Sequence, residues 1–178
     1  SRTSTFGVYA PNLLAAAPSG NIGLGGVMRL LPSPTGTLDL LAAKSVTAID
    51  SSLVMSDADP TKVPAARRPV ANNTILDPVK RASGDAIHVG DARPVRIVAA
   101  GGDVAGGSYS LPKHFEVYAA RDVRDVAVRG QNTSTSQVSS VVAGRKLSLS
   151  ALQNELQVAG PGRLQVLAGS GVDLGFSG

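Results

Sequence analysis

The 178-residue chain has no cysteine and no tryptophan, only 3% aromatic residues and two histidines. Without cysteine there is neither a disulfide nor a thiolate metal ligand. That absence also suits a protein exported unfolded through the periplasm, where a disulfide would lock the chain. A compact globule fills its centre with large rings. Here Ala, Val, Leu and Ile carry the apolar content, which suits a narrow core of stacked small side chains. No run of 18 apolar residues occurs, so no segment reads as a membrane-spanning helix. The opening stretch, SRTSTFGVYAPNLLAAAPSG, has no basic region ahead of its apolar part. It does not read as a signal peptide, and it begins as if cut from something longer.

Glycine (20 residues) and proline (11) are plentiful, which implies frequent turns. The chain is nevertheless 43% hydrophobic and 17% charged, outside the composition of disordered segments. Its formal net charge of +4 is mild for this length. It reads chiefly as a solvated surface, with anionic partners as the other reading.

A short phrase recurs five times: apolar residues two apart, an Ala, a small or polar corner, then Val or Leu. Leu38, Leu40 and Ala42 lead to Val46. Val95, Ile97 and Ala99 lead through Gly101-Gly102-Asp103 to Val104. Phe115, Val117 and Ala119 lead to Val123. Val141 and Ala143 lead to Leu147, and Leu164, Val166 and Ala168 lead to Val172. Spacing by two is strand periodicity with one face buried. The Ala markers lie 20, 24 and 25 residues apart from Ala99 through Ala119 and Ala143 to Ala168. A period of this length with two or three short strands, and no helically periodic segment between them, predicts one turn of a parallel β-helix. Leu40, Ile97, Val117, Val141 and Val166 should then share one inward column, with Gly, Asp, Asn and Ser at the corners.

Two stretches break the repeat. Residues 1–35 are rich in Gly, Pro and Ser and read as an irregular N-terminal segment or a partial coil, with room for one helical turn at Ala15–Ala17 before Pro18. Residues 36–178 read as the β-helix domain. Inside it, about 57–84 reads as a Pro-rich loop excursion, DADPTKVPAARRPVANNTILDPVKRASG, with room for one short strand near Thr74–Leu76.

The phrases PVRIVAAGGDVAGG (94–107), FEVYAARDVRDVAVRGQN (115–132), SVVAGRKLSL (140–149) and VAGPGRLQVLAGSGVDLG (158–175) resemble filamentous-haemagglutinin-type exoproteins. PSPTGTLDLLAAKSVT (32–47) is similar to them too. Within that group the chain is most similar to a domain of unassigned function from the C-terminal part of such giant proteins, over roughly residues 30–178. The resemblance implies a right-handed β-helix in a long protein sent through two-partner secretion to the surface of a Gram-negative bacterium. It implies a structural or adhesive role in adhesion, biofilm formation or contact-dependent competition, and it transfers no catalytic residue. The Asn-Pro-type motifs of the family's secretion domain are not found, the nearest being the Pro11-Asn12 pair, and no Arg-Gly-Asp is present.

No constellation for catalysis stands out, and no enzyme activity or cofactor is expected. His88 and His114 read as surface or corner residues, and no G-x-S-x-G elbow accompanies the serines. Gly101-Gly102-Asp103 does not recur as a Ca²⁺-binding nonapeptide would. Arg121, Asp122, Arg124 and Asp125 read as ion pairs on a solvated corner. The candidate binding site is the excursion, where Lys62, Arg67, Arg68, Lys80 and Arg81 offer a polyanion contact. Arg93 and Arg96 continue that basic run. No aromatic is interleaved, which argues against nucleic acid. The expected partners are neighbouring coils of a parent exoprotein and surface glycans. The competing function class is a polysaccharide-binding or polysaccharide-cleaving β-helix module, which would need carboxylates from adjacent coils along one groove.

Overall fold

A computed structural model describes residues 6–60, 86–149 and 155–175. These residues are all-β, with no α-helix among them, and every strand pairing is parallel. One sheet holds β2 (Asn12–Ala17), β4 (Thr37–Ala42), β6 (Val95–Ala99), β8 (Phe115–Ala119), β11 (Val138–Ala143) and β14 (Arg163–Ala168), side by side in that order. The second sheet begins with β1 (Phe6–Tyr9), β3 (Ile22–Leu30), β5 (Val46–Met55) and β7 (Val104–Ser110). Beyond β7 it divides into two branches. One carries β9 (Val123–Arg124), β12 (Lys146–Ser148) and β15 (Gly171–Asp173). The other carries β10 (Ala127–Gln131) and β13 (Leu156–Ala159). From β2 onward the chain alternates between the sheets, and each pass lays its strand beside that of the previous pass. This arrangement is compatible with the expected β-helix.

The register turns the sequence phrase into columns. Ala15, Leu40, Ile97, Val117, Val141 and Val166 are successive partners in the first sheet. Ala17, Ala42, Ala99, Ala119, Ala143 and Ala168 form the next column on the same side. In the second sheet Ile22, Val46, Val104, Val123, Leu147 and Val172 align likewise. The interior members of these columns are buried and form one continuous core. The predicted inward column therefore holds. It also reaches one pass further back than the repeat suggested, because Ala15–Ala17 is strand and not a helical turn. Ala15 and Ala17 alternate with the exposed Leu14 and Ala16, as a strand with one covered face must.

The second sheet bends where its strands change register, at Gly25/Gly26 and between Ala48 and Ser52. Left-handed backbone collects at this bend, in Gly26, Asp50, Gly106, Gly107 and Asp125. Such φ values cost glycine nothing and are unusual for other residues. At the opposite corner the glycines work differently. Gly102 and Gly144 have ordinary φ, but a Cβ there would strike Ser45 Oγ and the Ala120 carbonyl. It is the missing side chain, and not an unusual angle, that lets the chain close this corner.

Candidate functional site

Two polar constellations emerge from the stacked passes. The first is a groove of about 950 Å³ along the outside of the bend in the second sheet. Its lining comes from successive passes: Val27, then Ala48 to Ser52, then Gly106 to Ser108, then Asp125 and Arg129, with Glu155 beyond. Ser52 and Ser108 are direct ladder partners and set a column of hydroxyls along it. Arg129 Nε donates to Glu155 Oε1 at 2.6 Å. Ile49, 77% exposed, presents the largest apolar side chain in the groove. Nothing in the sequence repeat flags this groove, because it is made by the bend and its bulges.

The second constellation is a buried ionic cluster where residues 86–94 lead into β6. Lys113 is 1% exposed; its Nζ donates to Asp91 Oδ2 at 2.5 Å and to the Gly36 carbonyl at 3.2 Å. His88, also 1% exposed, places Nδ1 3.4 Å from Asp91 Oδ2. The segment is fastened on three sides. Arg93 donates to the Thr35 carbonyl, Thr133 Oγ1 to the His88 carbonyl, and Gln137 Nε2 to the Asp91 carbonyl. A cleft of about 530 Å³ opens beside it, between His114, Glu116, Ser134 and Gln137.

Burial lowers the pKa of His88, and the Lys113 charge adds to the effect. His114, 6% exposed, is lowered for the same two reasons. Burial lowers the Lys113 ammonium too, against the opposing pull of Asp91. For Asp91 burial acts upward, but the hydrogen bonds from Lys113 and the Arg93 amide, with the Lys113 charge, hold the carboxyl below its usual value. The histidines are thus core residues, which corrects their reading as surface or corner positions. His88 itself belongs to a turn. Asp91 stands three residues from His88, but Lys113, which completes the cluster, meets Asp91 only through the stacking of passes.

The predicted polyanion site, Lys62, Arg67, Arg68, Lys80 and Arg81, lies outside the described residues, as does Thr74–Leu76. Of the flanking basic residues, Arg96 Nε meets Asp39 Oδ1 at 2.7 Å across neighbouring strands, and Arg93 Nε lies 3.8 Å from Asp91 Oδ1. The Arg121–Asp125 cluster pairs between passes. Asp103 receives Arg121 at 3.6 Å and Arg124 at 3.5 Å, while Asp122 receives Arg145 at 2.5 Å. Hydrogen bonding from Arg145 lowers the Asp122 pKa. Asp103 and Asp122 also accept backbone amides of the following pass, so these corner carboxylates tie neighbouring turns together. Among the described residues no group of three or more His, Asp or Glu is placed to hold a metal ion, and no helix is long and apolar enough to cross a membrane.

Comparison with family models, with curated proteins and with solved structures finds no match to the chain.

Proposed function

We propose that the chain is a stretch of a right-handed parallel β-helix that serves, without enzymatic activity, as a structural and adhesive segment of a large secreted exoprotein. The single observation carrying this reading is the ladder itself. The same inward columns run through every described pass of both sheets, including the one that follows the excursion. A stack of this kind is quasi-one-dimensional, with each turn touching only its neighbours. It extends by repetition, which is what a shaft presenting surface determinants requires. The resemblance to filamentous-haemagglutinin-type proteins supplies the setting: export by two-partner secretion and display on the outer surface of a Gram-negative bacterium, with surface glycans as partners.

A bead-adhesion assay tests the adhesive role. Beads coated with the folded chain should settle on host or bacterial cells more than beads coated with heat-denatured chain. Equal settling contradicts the proposal. The polysaccharide module is the second reading, favoured by one observation: Asp50, Asp125 and Glu155 line a single groove from different passes. Chain scission on incubation with a polysaccharide panel would turn that reading into an enzyme and overturn ours.

A further inference from the structure

The two ends of the stack match each other. Among the described residues one end is formed by β1, β2 and the Ile22–Gly25 half of β3, and the other by β13, β14 and β15. Both sets follow the same order. β1 and β13 end the column that runs through β3, β5, β7 and β10. β2 and β14 end the first sheet. Ile22–Gly25 and β15 end the column that runs through β5, β7, β9 and β12. Lengths agree as well, with four residues in β1 and β13 and six in β2 and β14. Every one of these pairings is parallel. The last pass therefore offers the first pass of another copy the same kind of edge that each pass offers the next within the chain.

Neither end carries the usual guard. A terminal repeat needs a polar outer face, and an exposed edge strand is normally protected by charge. From Phe6 to Met28 the sequence has no charged residue, and β13 to β15 hold only Arg163 and Asp173. Among the described residues no strand pairs with the outer edge of either set. The inward columns run out uncovered. Val172 is 49% exposed, whereas Val46, Val104, Val123 and Leu147 of its column are 0% exposed. Leu13, Ala15 and Ala17 are only partly buried beside the buried Leu38, Leu40 and Ala42. Continuing the register across a junction sets Val166 on Ala15, Ala168 on Ala17 and Val172 on Ile22, apolar on apolar throughout. One bond of the series is missing there. Ala43, Ala100, Ala120, Gly144 and Gly169 each donate a corner amide to the preceding pass, and Pro18 at the same station has no N–H.

We propose that the chain associates with a second copy of itself head to tail, the edge of β13 to β15 in one copy pairing in parallel with the edge of β1 to β3 in the next. The contact is heterologous, so growth does not close and gives rods. Each copy adds six first-sheet strands at ~4.8 Å, or about 29 Å of length. The inference rests on the stacked passes of the proposed function and not on adhesion or secretion.

Analytical ultracentrifugation of the 178-residue chain should show a mean mass that rises with concentration without a plateau, with rods in negative-stain electron microscopy. Val166→Lys places an ammonium on the last pass only, and Ala15→Lys places one on the first pass only. Either variant alone should be monomeric. Mixed in equal amounts they should form a dimer and nothing larger, because each supplies the free end that the other lacks. A second reading of the junction uses Ala17→Cys with Ala168→Cys in one chain, a smaller change in volume. Stacked strands place these residues within disulfide reach of the neighbouring copy, so oxidation should give a ladder of covalent multimers. An unchanged chain that stays monomeric at every concentration, lysine variants that associate alone, a mixture that passes beyond the dimer, or a double-cysteine chain that yields no multimers would overturn the proposal. A monomeric chain that still carries beads to cells would end this inference and leave the adhesive reading standing; rods that carry no beads would do the reverse.

Discussion

Replacing Lys113 with Met should be among the most damaging single changes outside the apolar columns. Met follows the path of the lysine stem but carries no charge. It leaves the Asp91 carboxylate, 8% exposed, without its ammonium partner, and the Gly36 carbonyl without its donor. Breaking a buried ion pair from one side costs about 3–5 kcal/mol. Here Asp91 retains the Arg93 amide at 3.1 Å and the neighbouring His88, which favours the lower end. We therefore expect about 3 kcal/mol, or a fall in Tm of about 6–12 °C for a chain of this size. The pair with Asp91→Asn separates a charge effect from lost packing, because the Asn oxygen still accepts the Arg93 amide. The double variant should be more stable than Lys113→Met alone, since it buries no orphaned charge. Thermal melts of the two singles and the double at pH 7, followed by circular dichroism, give the cycle. A Tm loss below about 2 °C in Lys113→Met, or strictly additive losses in the double, would refute the buried-pair account.

Val117→Asp places a charge in the middle of the inward column and should cost several kcal/mol, whereas Arg67→Ala should cost under about 0.5 kcal/mol; equal losses in denaturant melts would invalidate the inside and outside assignment. Acid should destabilise the fold in two windows. The unfolded chain binds protons at His88 and His114 near 6.5, which the fold resists, so stability should fall as pH drops through that value, and His88→Gln with His114→Gln should flatten the slope. The stability contributed by Asp91 is present above its unfolded value of 3.8 and is lost only as pH falls through its lower folded value. Heparin retention at low salt should disappear when Arg67, Arg68, Lys80 and Arg81 are all changed to Ala; retention that is unchanged, or insensitive to salt, contradicts the excursion as a polyanion site.

The columns were legible because they are periodic. Apolar residues two apart and an Ala every 20 to 25 residues encode both the buried face and the register, and Leu40 meets Ile97 although 57 residues separate them. The earlier pass was harder to read because Ala15 stands where later passes carry the larger Leu40, Ile97, Val117, Val141 and Val166, and three consecutive alanines suit a helix by propensity. Packing beside β4 decides otherwise. The ionic cluster was not legible at all. His88, Asp91 and Lys113 follow no period, and Lys113 reaches Asp91 and the Gly36 carbonyl across 22 and 77 residues. The groove escaped for a related reason: Asp50 and Asp125 sit at bulges and corners, where the alternation that identifies strands is interrupted.

The stacking of passes across the excursion is the central structural claim, and the absence of cysteine makes it directly testable. Leu41 and Val98 are ladder partners on the outer side of the first sheet, on strands before and after the excursion. Neighbouring parallel strands are ~4.8 Å apart, within the Cα separation a disulfide needs. Tyr118 and Val142 are the equivalent pair between two later passes. Leu41→Cys with Val98→Cys should oxidise to an intramolecular disulfide as readily as Tyr118→Cys with Val142→Cys, seen as a mass loss of two hydrogens and a faster band on a non-reducing gel. A later pair that closes while Leu41→Cys with Val98→Cys stays reduced would show that the chain does not return to the same face after the excursion, and would contradict the stack.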